Sequence, residues 1–160
     1  MQRRSLTTMM VLAGLSVFGL TGCDDTTYET YSATIEAAQE NPSTGSTAAG
    51  TAKLLVSQDG QRADLTVTLT SPLMGDLRLM HIHRAARGTN GGVIHNIWVP
   101  GPGGAATVTP LEAFEVGTPI GRTFQFTAEN LADLRAGNYY VNIHSSRNPG
   151  GEIRGQLVRD

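Results

Sequence analysis

Arg62-Ala-Asp-Leu-Thr-Val-Thr-Leu-Thr70 alternates without a break: Ala63, Leu65, Val67 and Leu69 fall on one side, and Asp64, Thr66, Thr68 and Thr70 on the other. A period of two is the signature of a strand with one buried and one wet face. Asp59-Gly60 just before it is hairpin turn chemistry, and residues 51–57 supply the partner strand. Working outward, further strands are expected over residues 31–37, 77–83, 93–99, 122–127, 138–144 and 152–158, with a short edge piece at 107–109. Residues 41–50 and Gly101-Pro-Gly-Gly104 read as loops. In residues 122–127, Phe124 and Phe126 share a face. Residues 128–137 alone look helical, with Leu131 and Leu134 three apart and Gly137 as a stop, so one short helix is expected near 130–135. The pattern predicts an all-β fold, a Greek-key β-sandwich or barrel of about eight strands with that single helix.

The chain has 160 residues, 16% of them charged and 39% apolar, with one Cys and four His. That length is one domain's worth, since domains cluster at roughly 100–150 residues. One Cys excludes a disulfide scaffold and a multi-cysteine zinc site. No Gly-rich phosphate loop is present, because Gly101-Pro-Gly-Gly104 lacks the following Lys and helix. Ser145 and Ser146 adjoin His144 without a nucleophile elbow, so nucleophilic catalysis has little support and the reading leans away from an enzyme. Trp98 reads equally as a core filler and as a ligand platform.

Residues 1–22 read as a targeting segment. Arg3 and Arg4 precede a 12-residue apolar run, Met9 to Leu20, too short for the ~20 residues a bilayer span needs. Leu20-Thr21-Gly22-Cys23 resembles the bacterial lipobox, which implies that Cys23 carries the lipid and becomes the first residue of the mature protein. The expected organisation is a lipoprotein signal peptide over 1–22, a tether over 23–30 and a domain over 31–158. The membrane would be engaged through the anchor, in the periplasm or at the cell surface. Without Arg3 and Arg4, 10 basic residues face 14 acidic ones. Such an acidic domain is not drawn to nucleic acid.

Residues 137–157, Gly-Asn-Tyr-Tyr-Val-Asn-Ile-His-Ser-Ser-Arg-Asn-Pro-Gly-Gly-Glu-Ile-Arg-Gly-Gln-Leu, resemble the signature of the CHRD domain. His81-Ile-His83 with the Gly-rich turn at 88–92, and the segment of Gly50 and Leu54 with its hairpin, resemble the same family. The resemblance implies an extracytoplasmic β-sandwich and no settled activity. Glu152, Arg154 and Gln156 share one face of the last strand; Glu152 and Arg154 read as a cross-strand charge pair on a wet face, with a polar ligand site as the alternative. Gly155, on the other face, leaves room for close approach of a neighbour.

His81 and His83 lie two apart in a strand and therefore share a face, with Met80 and Ile82 on the core side. Tyr139, Val141 and Ile143 take the core side of their strand, which turns His144 outward. These three histidines are expected to lie together on the outer face, with His95 as a fourth; His95 shares parity with Val93 and Ile97. The order His81, His83, His95, His144 resembles the copper half of copper–zinc superoxide dismutase, which implies copper or zinc as ligand. The zinc loop and Cys pair of that family have no counterpart here, so dismutase chemistry is not expected. Two readings follow. One is a lipid-anchored cell-envelope binding or scaffold module that contacts an envelope protein or polymer. The alternative is a copper- or zinc-binding envelope protein using the histidine cluster.

Overall fold

The computed structural model describes residues 27–99 and 115–160. The lipobox Cys23, the loop at 101–104 and the edge piece at 107–109 lie outside the described residues. The strands are β1 (Tyr28–Glu36), β2 (Ala49–Ser57), β3 (Ala63–Ser71), β4 (Leu77–Arg84), β5 (Gly92–Trp98), β6 (Pro119–Phe124), β7 (Tyr139–Ser145), β8 (Ile153–Gln156) and β9 (Val158–Arg159). A 3-10 turn (Ala37–Gln39) follows β1, and helix α1 (Ala128–Arg135) precedes β7. They form one antiparallel sheet in the order β5-β4-β7-β8-β1-β2-β3-β6, with β9 paired to β1. The sheet curls until its two edges approach: Arg122 on β6 donates from Nε to the Ile97 carbonyl of β5 at 2.6 Å. The fold is an all-β, nearly closed barrel, as the alternation predicts.

The alternating side chains fill the inside. Tyr31 and Ile35, Leu54, Leu65 and Val67, Met80 and Ile82, Val141 and Ile143 form one continuous core with Ile153 and Leu157. Trp98 is part of it, so the filler reading is the one the structure bears out. Burying Val-, Leu- or Ile-sized side chains contributes roughly 1.5–3 kcal/mol each. The Asp59-Gly60 turn closes the β2–β3 hairpin in the register Val56↔Ala63, and the Ser57 hydroxyl donates to Asp59 Oδ1 at 2.7 Å. The helix starts on a capping box: Thr127 Oγ1 accepts from the Asn130 N–H, and the Thr127 N–H donates to Asn130 Oδ1. It buries Leu131 and Leu134 against the core. Among the described residues, no helix is long and apolar enough to cross a membrane.

Two local expectations change. The first strand begins at Tyr28, inside the segment read as a tether. Its early residues are polar, but Glu29 is buried and fixed by Arg135, whose Nη2 donates to Glu29 Oε1 at 2.7 Å, while Tyr31 donates to Glu29 Oε2 at 2.6 Å. The hydrogen-bonded Arg135 guanidinium holds Glu29 below the usual carboxylate range, and burial together with Glu29 pushes the Tyr31 phenol up to about 12. A carboxylate with a lowered pKa stabilises the fold above its unfolded value, and that contribution is lost as pH falls through the folded one. Glu29→Gln should therefore cost about 1–2 kcal/mol at pH 7. The gap to wild type should narrow at acid pH, as the pH falls below the ordinary carboxylate range and through the lowered value of Glu29. Urea melts at neutral and acid pH check this.

The second change is at β8. Glu152, Arg154 and Gln156 are 0%, 3% and 7% exposed and form no charge pair with each other. The expected wet face is covered by loops. Glu152 accepts from the Ser145 hydroxyl, from Ser46 Oγ at 2.8 Å and from the Met74 N–H at 2.7 Å. Burial pushes its carboxyl up, but these donors outweigh burial and bring it below its usual range.

Candidate metal centre

Strands β4 and β7 pair with His81 opposite Asn142, His83 opposite Tyr140 and Leu79 opposite His144. His144 is thus the diagonal neighbour of His81 on the face opposite Met80, Ile82, Val141 and Ile143. Diagonal neighbours two residues along the ladder reach each other with long or aromatic side chains. The His81 ring centroid is 5.5 Å from that of His83 and 5.0 Å from that of His144, and the latter two are 6.1 Å apart. One ring nitrogen of each lies within 4.8 Å of the other two.

The hydrogen bonds decide which nitrogens are free. His83 Nδ1 donates to the Gly91 carbonyl at 2.9 Å, and His144 Nδ1 to the Pro149 carbonyl at 3.0 Å. A carbonyl can only accept, so both rings carry the proton on Nδ1 and keep a lone pair on Nε2. His83 Nε2, His144 Nε2 and His81 Nδ1 are buried without a hydrogen-bond partner. A buried polar atom left unpaired costs on the order of 1–3 kcal/mol, and one on each of three adjacent rings calls for an explanation.

The surroundings favour neutral rings. His81 and His144 are each only 7% exposed, so the cluster sits on the non-core side of the sheet yet beneath the loops that supply Gly91 and Pro149. Burial pushes the His81 pKa down to about 4, and lowers those of His83 and His144 as well. Tyr140 stacks on His83 with centroids 5.0 Å apart and an interplanar angle of 10°, and its hydroxyl accepts from the Gly91 N–H at 3.2 Å. Gly91 lies so close to β4 that a Cβ there would sit 1.8 Å from the Arg84 carbonyl oxygen. That approach is what brings its carbonyl onto His83. Such a partner behind the ligating nitrogen orients the ring and raises its basicity.

His95 is not in the cluster. It pairs across the ladder with Ile82, and cross-strand partners share a face, so it lies on the side opposite His81 and His83. Its ring stacks on Phe124 at 4.5 Å and meets Phe126 edge-on at 5.3 Å. The shared parity with Ile97 was the signal that separated it. The parity that turns His144 outward also places Tyr140 on its face, whereas no spacing rule connects the Gly91 backbone to the histidines.

An antiparallel barrel carrying three convergent, neutral imidazoles defines a small extracore site on a rigid sheet. The chain matches the CHRD domain family over residues 31–157, and it belongs to that family. Neither the curated proteins nor the solved structures contain a match to it.

Proposed function

We propose that this CHRD protein is a lipid-tethered envelope module whose domain binds one copper or zinc ion, through His81 Nδ1, His83 Nε2 and His144 Nε2. The observations that carry the reading are one ring nitrogen of each histidine within 4.8 Å of the other two, and a buried, unpartnered nitrogen on each of the same three rings. Ligand nitrogens around a tetrahedral ion at ~2.0–2.1 Å stand roughly 3.4 Å apart, so the rings need draw in by only about 1 Å. Neutral imidazole suits both metals, and copper(II) is the tighter by intrinsic preference. Three protein ligands leave a position open for water or another small ligand. Equilibrium dialysis of the purified full-length chain in neutral detergent, against copper(II) and separately zinc(II), tests this. One ion per chain with a Kd below about 1 µM is expected. Uptake weaker than that, or at no fixed stoichiometry, would reject the reading.

The lipobox supports attachment through Cys23, on the periplasmic or outer side of a bacterial membrane. Two or more acyl chains hold a protein stably, at about 0.8 kcal/mol per buried methylene. Cys23→Ser should yield an unprocessed precursor or a soluble protein. Normal processing with continued membrane retention, read by fractionation, would count against the anchor.

A further inference from the structure

Arg154 carries a second feature, next to the histidine cluster through the Tyr140 ring. Its side chain is buried at 3% exposure and forms no ion pair among the described residues. Three neutral acceptors hold it: Nε donates to the Gln39 carbonyl, and Nη1 to the Thr89 carbonyl at 3.1 Å and to Asn90 Oδ1 at 2.8 Å. Its guanidinium carbon sits 4.8 Å from the centre of the Tyr140 ring. The remaining nitrogen, Nη2, is buried with no partner. Glu40 is the carboxylate its charge acts on, from beyond ion-pair distance, and a buried charge is costly unless it is closely paired.

Beside Arg154 lies a cavity of about 380 Å³ whose lining includes Gln39, Glu40, Asn41, Arg87 and Gln156. Small-molecule sites have volumes of roughly 300–1,000 Å³. Its walls are pinned together, since Asn41 Nδ2 donates to the Gly88 carbonyl at 2.9 Å and Asn90 Nδ2 to the Asn41 carbonyl at 2.7 Å. Arg87 is exposed and, among the described residues, makes one long bond, 3.3 Å to Gln39 Oε1, so its guanidinium is available to the cavity.

We infer that this cavity is a binding site for a hydroxylated monocarboxylate of sugar-acid size, with Arg154 and Arg87 holding the carboxylate. The Arg87 guanidinium fork matches a carboxylate with two parallel hydrogen bonds, while Arg154, whose Nε and Nη1 are already spent, adds its charge and its remaining Nη2. Asn41 and Gln156 spend their NH2 groups on backbone carbonyls, Gln156 on those of Ala85 and Gly137. Their amide oxygens are left as acceptors for ligand hydroxyls. Glu40, whose carboxylate is turned to Asn142, adds one negative charge to the wall and so disfavours dianions such as phosphate. The carboxylate has two sources, a free sugar acid or a uronate unit of an acidic polysaccharide.

Calorimetric titration of the full-length chain with D-galacturonate, D-galactose and inorganic phosphate tests the site. Saturable galacturonate binding is expected, with galactose and phosphate each at least about tenfold weaker. Arg87→Gln and Arg154→Lys should each weaken galacturonate about tenfold or more, and His81→Ala should leave it unchanged, which separates this site from the metal reading. Arg154 anchors two loops; should Arg154→Lys misfold, the exposed Arg87 variant decides. Trigalacturonate binding more than about tenfold tighter than the monomer assigns the polymer, and equal binding per unit assigns the free acid. No saturation by about 10 mM, equal galactose affinity, tighter phosphate, or an Arg87→Gln variant at wild-type affinity would overturn the inference.

Discussion

On the proposed site, His144→Ala is expected to weaken copper(II) and zinc(II) binding by at least about 100-fold, and His81→Ala by a similar factor, because each would remove one of three proposed ligands. Loss of an outer partner alone typically costs 10–100-fold, so loss of a ligand sets the larger effect. His95→Ala should leave the affinity within about threefold of wild type, since its ring packs on Phe124 and Phe126 away from the cluster. Competition with a metal-chelating dye reads all three variants. Equal losses at His95 and His144 would place the ion elsewhere. The variants should remain folded, because His81 and His144 lie off the core that Met80, Ile82, Val141 and Ile143 form.

Gly155→Ala should be among the most damaging single substitutions in the domain, at about 3 kcal/mol or more. A Cβ at Gly155 would stand 2.4 Å from the Thr34 carbonyl oxygen, 2.9 Å from its carbon and 3.0 Å from Ile35 Cγ1. The first two are backbone atoms of β1 and cannot swing aside. Relief would require β8 to separate from β1 where Glu36 pairs with Arg154. For a domain of this size such a loss lowers the melting temperature by roughly 6–12 °C. A melting temperature within a degree or two of wild type would show that β8 can shift without cost.

Period-two alternation made much of the fold readable, because each strand with one buried face writes that face into its own residues. β3 is the clearest case, with Ala63, Leu65, Val67 and Leu69 all buried. The same rule places His81 and His83 together, and puts His144 on their side. It fails where burial comes from a second layer rather than from the strand. Glu152, Arg154 and Gln156 alternate as an outward face should, yet loops from residues 38–46 and 85–90 fold over them and hydrogen-bond to all three, leaving Arg154 Nη2 as the nitrogen without a partner. Those partners lie up to 117 residues away, beyond any local pattern. Glu29 is the same lesson in β1: the polar start pairs with β2, and its buried carboxylate is met by Arg135, 106 residues away. Strand order is the other hidden quantity: β8 lies between β7 and β1, and no single strand's alternation encodes its neighbours.

The most direct test of the metal centre is long-range proton–nitrogen NMR of the histidine rings, recorded on the full-length chain with and without one equivalent of zinc(II). The hydrogen bonds to Gly91 and Pro149 fix the tautomers in advance. Zinc should therefore shift Nδ1 of His81 and Nε2 of both His83 and His144, while Nδ1 of His83 and His144 keep their protons and His95 does not respond. Unchanged nitrogen shifts at His81, His83 and His144 in the presence of zinc, or a response at His95 in their place, would contradict the assignment.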